Sequence, residues 1–295
     1  MAIADAKLAS VTAASVVRLA ATLLQGESIG APPDGEFWQW CFEAATLREI
    51  VTLRERLMLL NTPTASMLRA IVLGILHGPR NKLLPSYLSN QMPRTYASKP
   101  AYAVKYWKSK DLSPTRVPAL DVIERRAARL LASTPPTPGG RVYLGDSLET
   151  LRRLKQNFDL VVTSPPYYGM RTYLPDQWLR LWFLGGVPEV PYGSEGQLAR
   201  QPNQNAFVAA LAAVWEATAR RCVEGSRLAV RFGALPSART DPERLIVDSI
   251  ERADAGWKVE KVVPAGISSR KARQAEQFGR AGPAIVEVDV VANLR

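Results

Sequence analysis

The chain has 295 residues, 47% of them hydrophobic, enough for one large domain or two modest ones with real cores. Lys and Arg outnumber Asp and Glu by 38 to 27, and the net charge of +11 points to a polyanionic partner, nucleic acid ahead of a membrane surface. His77 is the only histidine, which excludes a histidine pair or a multi-histidine zinc site, and Cys41 and Cys222 have no metal-binding spacing. The most apolar stretch, Met67 to Leu76, carries Arg69 and falls short of the roughly 20 residues a bilayer span needs. The N-terminus lacks signal-peptide character, so a cytoplasmic protein without a membrane partner is expected.

In chain order, Leu47, Ile50, Val51, Leu57 and Leu60 recur at helical spacing between charged residues. Thr62-Pro63-Thr64 starts a second helix, which stops at Gly78-Pro79, and a third covers Leu120 to Ala132. The run from Ser133 to Gly140 is rich in proline and glycine and reads as a linker between a basic helical region, 1–132, and an α/β domain, 141–295. Beyond it, apolar runs at Val142–Leu144, Leu160–Thr163, Leu228–Phe232, Val259–Val263 and Ile285–Val291 alternate with helical patterns. One helix starts at Asp241-Pro242-Glu243, with Gly256 as its cap, and Gly185 to Gln204 reads as a long loop. This alternation predicts a mostly parallel, doubly wound sheet, in which ligands bind at the carboxyl ends of the strands.

Two segments carry chemistry. Arg80 to Lys110 holds seven Lys/Arg and no Asp/Glu, interleaved with Tyr87, Tyr96, Tyr102, Tyr106 and Trp107. Basic groups such as Arg94 and Lys99 neutralise phosphates, aromatics stack on exposed bases, and the Asn90 and Gln91 amides suit base edges. Arg270-Lys-Ala-Arg-Gln274 is a second basic cluster. The other segment is Asp159-Leu-Val-Val-Thr-Ser-Pro-Pro-Tyr-Tyr-Gly169, an apolar strand leading into Ser164-Pro165-Pro166-Tyr167. The prolines fix φ and remove backbone donors, so the chain leaves the strand stiffly with its carbonyls free to accept. Acceptors beside an aromatic face suit a planar ligand bearing an amino group, such as a base flipped from a duplex.

Ser164-Pro165-Pro166-Tyr167 resembles the catalytic motif of the amino-group DNA methyltransferases, Asp/Asn/Ser-Pro-Pro-aromatic, whose serine version is more common among the cytosine-N4 enzymes. The resemblance extends over about 140–295. It implies a Rossmann-like methyltransferase sheet, S-adenosylmethionine as methyl donor, double-stranded DNA as substrate, and no metal. It also implies roles for particular residues. Ser164, Pro165, Pro166 and Tyr167 would be catalytic. Asp146, in Gly-Asp-Ser, would accept from the donor's adenine amino group, with Gly145 and Thr163 on the donor side. Tyr168, Arg171, Tyr173, Asp176 and Gln177 would line the site, with Trp178, Trp182 and Phe183 as the buried face of a helix. Adenine N6 is the alternative target, and a catalytically silent DNA-binding subunit the alternative role.

One family element is missing. No glycine-rich donor loop of the form Phe-x-Gly-x-Gly occurs, and Gln277-Phe-Gly-Arg-Ala-Gly282 has the wrong spacing. The first two strands of the sheet are therefore expected to be absent. Ile3 to Ala9 would be the helix that follows them, and a second polypeptide would supply the loop.

Overall fold

The computed structural model describes residues 2–79, 84–92, 99–133, 139–169, 173–192, 198, 201–234, 240–265 and 286–295. They fall into two compact units. The first, Met1–Tyr143 with Tyr173–Tyr192, is helical; the second, Leu144–Thr172 with Gly193–Arg295, is built on a sheet.

The helical unit contains α1 (Ala2–Leu8), α2 (Ala13–Leu24), α3 (Glu36–Cys41), α4 (Ala44–Met58), α5 (Pro63–Ile75), α6 (Pro100–Ser109) and α7 (Ala119–Leu130). The expected starts and faces hold. Thr62 caps α5 by accepting from the Ala65 amide at 3.2 Å, and α4 buries Leu47, Ile50, Val51, Leu53 and Leu57. The Glu43 carboxylate caps α4, and this bond to the Ala45 amide is the main reason its pKa lies below the usual range. Among the described residues no helix is long and apolar enough to cross a membrane.

The first unit runs to Tyr143, just past the expected linker 133–140, but one correction concerns 173–192. The segment just after the Ser-Pro-Pro-Tyr motif, α9 (Tyr173–Asp176) and α10 (Trp178–Phe183), belongs to the helical unit. The reason is packing. Trp178, Leu179, Trp182 and Phe183 are buried; the Trp178 ring lies 4.8 Å from Phe37 and the Trp182 ring 4.5 Å from Trp38. Arg54 donates to the Trp182 carbonyl at 2.8 Å and Arg180 to the Leu73 carbonyl at 3.1 Å, tying α10 to α4 and α5. These rings are a buried face, as the sequence suggested, but of the other unit. A second correction concerns the N-terminus: α1 packs on α5, so it is a piece of the helical core and not a helix of the sheet.

The sheet unit contains α8 (Ser147–Arg153), β1 (Phe158–Thr163), α11 (Gln204–Ala219), β2 (Cys222–Ala234), α12 (Pro242–Arg252), β3 (Trp257–Ala265) and β4 (Val286–Leu294). The α/β class and the mainly helical region before it are as expected, and so are four of the five strands. The strand order is β1-β2-β4-β3, with β1 parallel to β2 and β4 antiparallel to both of its neighbours. The sheet is therefore mixed and not mostly parallel, because β4 inserts between β2 and β3; apolar alternation carries no information about strand direction. Val142–Leu144 forms no strand, and Leu144 is 76% exposed, because no described strand lies beside it. Asp241 caps α12 as expected, but the first left-handed residue after that helix is Asp254, and Gly256 (φ +86) turns the chain into β3.

Among the described residues of this unit, α11 and α12 cover one face of the sheet. Leu228, Val230, Phe232, Val288, Val290 and Ala292 are buried together with Phe207 and Leu211 of α11 and Leu245 and Ile246 of α12. The Trp215 indole donates to Ser249 Oγ at 2.9 Å, and the Trp257 indole to the Trp215 carbonyl at 3.0 Å, locking both helices to the sheet. On the opposite face of β1, Leu160 is 55% and Val162 73% exposed. β1 is also an edge strand, paired only with β2 among the described residues. Parallel strands ordinarily have both faces covered.

Candidate functional site

Because β1 and β2 are parallel, their carboxyl ends lie together. Ser164 to Tyr168 leave the end of β1, and Tyr168 makes a parallel bridge to Ala234 at the end of β2. β4 runs the other way, so its beginning falls on the same edge: Glu287 is the register partner of Gly233. The motif thus occupies the position where an open α/β sheet binds ligands.

Each motif residue has a distinct environment. Pro165 is buried, Ser164 and Pro166 are exposed, and Tyr167 and Tyr168 are half-buried. The exposed Ser164 hydroxyl stands at the end of the strand beside a fixed backbone. The Tyr168 ring meets Phe207 edge-on at 5.2 Å, and the Tyr167 ring meets Phe232 edge-on at 5.8 Å. The Tyr167 hydroxyl donates to Glu287 Oε1 at 2.5 Å. Behind it, Arg231 of β2 holds Asp289 of β4 with two bonds of 2.8 and 2.7 Å. This fork keeps the Asp289 carboxyl below its usual pKa and raises that of the guanidinium.

On the donor side, Asp146 is an exposed N-cap for α8, accepting from the Leu148 amide at 2.8 Å and the Glu149 amide at 3.3 Å. Gly145 precedes it and is exposed, and Thr163 is half-buried at the end of β1. The sequence has no glycine-rich loop of the family's form, and the β1 edge beside Thr163 carries no neighbour among the described residues.

The other expected site residues divide. Arg94 and Arg171, with Tyr96 and the 270–274 cluster, lie outside the described residues, as does the Tyr173 side chain. Asp176 and Gln177 belong to the helical unit, where Gln177 accepts from Arg180 at 2.5 Å. Lys99 is exposed, its ammonium 5.9 Å from the Tyr192 ring. Asn90 is a correction. It is only 4% exposed, its amide protons go to the Trp40 and Leu112 carbonyls, and its oxygen accepts from the Gln91 amide, so it is buried and committed away from any base edge. Gln91 is half-buried and donates to the Met92 carbonyl at 3.0 Å.

Of the interleaved aromatics, Trp107 is wholly buried, Tyr87 lies against Gly78 with Arg126 5.9 Å above its ring, and Tyr106 is half-buried. Tyr102 is half exposed on α6 and, with Lys99 and Lys105, presents the basic, aromatic character expected of a phosphate-facing surface.

Sequence reasoning missed Glu287, Gly233, Arg231 and Asp289. The available signal was Val286-Glu-Val-Asp-Val290, two acids at strand period placing both carboxylates on one face.

No family model matches the chain, and no curated protein matches it in sequence. Two solved structures of one Thermus thermophilus protein, described as a candidate DNA modification methylase, are similar to part of it. The selenomethionine derivative aligns at 20% identity and a TM-score of 0.30 over 51% of this chain and 50% of its own. The complex with S-adenosyl-L-methionine aligns at 19% identity and 0.31 over 51% of each. The chain thus spans about half the length of the structures it matches.

Proposed function

We propose that the chain is the target-amine half of an S-adenosylmethionine-dependent DNA methyltransferase acting on an exocyclic amino group, with cytosine N4 as the target. The observation that carries this reading is the Ser164-Pro165-Pro166-Tyr167 element at the carboxyl end of β1, braced by the Tyr168–Ala234 bridge. An amino group set beside this element donates to Ser164 Oγ and the Pro165 carbonyl. Both acceptors draw on its protons and aim its lone pair away from the strand. The Tyr167 ring supplies a stacking wall, and the exposed Lys99 and Lys105 of the helical unit neutralise phosphates of the duplex. Bound donor would supply the methyl group; positioning the amine is this chain's contribution.

The chain's own donor side is incomplete, and a second polypeptide carrying the glycine-rich loop completes it. The supporting observation is the open edge and bare face of β1. A strand added there would pair the outward backbone groups of β1, and burial of Leu160 and Val162 would contribute about 2–4 kcal/mol.

Genomic DNA tests the reading with any partner present. Nucleosides are compared between host cells carrying the wild-type chain and cells carrying the Ser164→Ala, Tyr167→Ala double variant. Loss of N4-methylcytosine in the variant is the expected result. Loss of N6-methyladenine instead would move the target to adenine. Unchanged levels of both would overturn the methyltransferase reading and leave a DNA-binding subunit.

A further inference from the structure

Among the described residues, three contacts hold the Tyr167 ring from outside the Ser-Pro-Pro-Tyr motif. The hydroxyl is tethered to Glu287 Oε1 at 2.5 Å, and the ring edge packs on Phe232. The third contact is a missing side chain. A Cβ on Gly233 would sit 2.9 Å from Tyr167 Cε2 and 3.2 Å from Cζ, closer than packed atoms approach, so any larger residue there must push the ring aside. Gly233 and Glu287 are register partners on adjacent strands, so floor and tether come from one point of the β2–β4 ladder. Both alternate with the buried Phe232 and Val288, which places them on the face away from α11 and α12. The Arg231–Asp289 fork lies one residue pair further along that face.

We propose that Glu287 and Gly233 are positioning residues: they set the plane of the Tyr167 ring against which the target base stacks, Glu287 by holding the hydroxyl and Gly233 by leaving the ring its place. A stacking wall contributes only if its plane is held before the base arrives, because ordering a free ring at that moment costs affinity. The inference rests on the methyltransferase reading for the base, while the clamp itself rests on these contacts.

The full chain labelled with 3-fluorotyrosine gives one fluorine resonance per tyrosine, and Tyr167→Phe assigns that of Tyr167. Two probes are titrated in: a short single-stranded oligo(dC), whose bases need no unpairing, and an abasic strand of the same length. In wild type and Glu287→Gln, which keeps an acceptor, the Tyr167 signal should sit at one place and move with oligo(dC) but not with the abasic strand. In Glu287→Ala and Gly233→Ala it should start elsewhere, and the oligo(dC) response should weaken about tenfold, the scale of one base–aromatic stack. Thermal melts of all variants show whether each is folded.

If Glu287→Ala leaves the Tyr167 resonance where it is in wild type, the clamp is refuted whatever the DNA does. If the resonance moves in Glu287→Ala but oligo(dC) perturbs it in no protein, wild type included, base stacking is refuted. The methyltransferase reading then loses its stacking wall, although the tether exists.

Discussion

The two units build their cores differently. The helical unit gathers Trp38, Trp107, Trp178, Trp182, Phe37, Phe42 and Phe183 into one core, to which a helix from beyond the motif returns. The sheet unit closes one face with two helices, and on the other Leu160 and Val162 are exposed on β1, an edge strand among the described residues. Under the proposed assembly, a second chain would meet the sheet unit at β1, the edge strand whose carboxyl end carries the motif.

The comparison is most easily broken through α10. Trp178→Ala should destabilise the helical unit by about 3–5 kcal/mol, the cost of emptying a buried aromatic site, in urea unfolding followed by near-UV circular dichroism. A loss below about 1 kcal/mol would place α10 outside that core.

Next in size is pH. Burial, with Arg180 nearby, lowers the His77 pKa from 6.5 to about 3, and neither ring nitrogen has a hydrogen-bond partner among the described residues. Below pH 6.5 the unfolded chain takes up a proton that the folded unit refuses. Stability present above pH 6.5 is therefore lost as pH falls towards 3, by about 1.4 kcal/mol per pH unit from this group. Urea midpoints at pH 7 and 5 measure it, and His77→Phe should flatten the dependence.

Asn90→Ala should cost about 1–3 kcal/mol, because the Trp40 and Leu112 carbonyls lose their donor. Affinity for mixed-sequence duplex, read by fluorescence anisotropy, should stay within about twofold once the protein is folded; a tenfold loss would return Asn90 to the DNA surface.

The smallest effect is the most telling for the open face. Val162→Thr should change the stability of the isolated chain by less than about 0.5 kcal/mol, as expected for an exposed position. A cost above about 1.5 kcal/mol would mean the face is already covered.

Much of this was legible in the sequence, for physical reasons. Thr62-Pro63 and Asp241-Pro242 start helices because cap and proline satisfy local backbone needs, and four strands were marked by their apolar runs. The motif's place at a strand end followed from Pro165-Pro166 stopping the ladder. What failed depended on distant partners. Val142–Leu144 has strand composition but no described neighbour to pair with. The direction of β4 is fixed by Glu287 facing Gly233, residues 54 positions apart. The return of Trp178 and Trp182 to the N-terminal core could not be seen, because an apolar helix face does not say which core it fills. Asn90 was placed on DNA because an amide in a basic stretch looks available; only its buried carbonyl partners show that it is not.

The claim that the sheet unit is half of a site is tested most directly by calorimetric titration of S-adenosylmethionine into the purified chain. The account predicts no saturable heat at donor concentrations up to about 1 mM, where binding free energy would be only about −4 kcal/mol. Micromolar binding by this chain alone, abolished by Asp146→Ala, would contradict it and show that the donor pocket is complete without a second polypeptide.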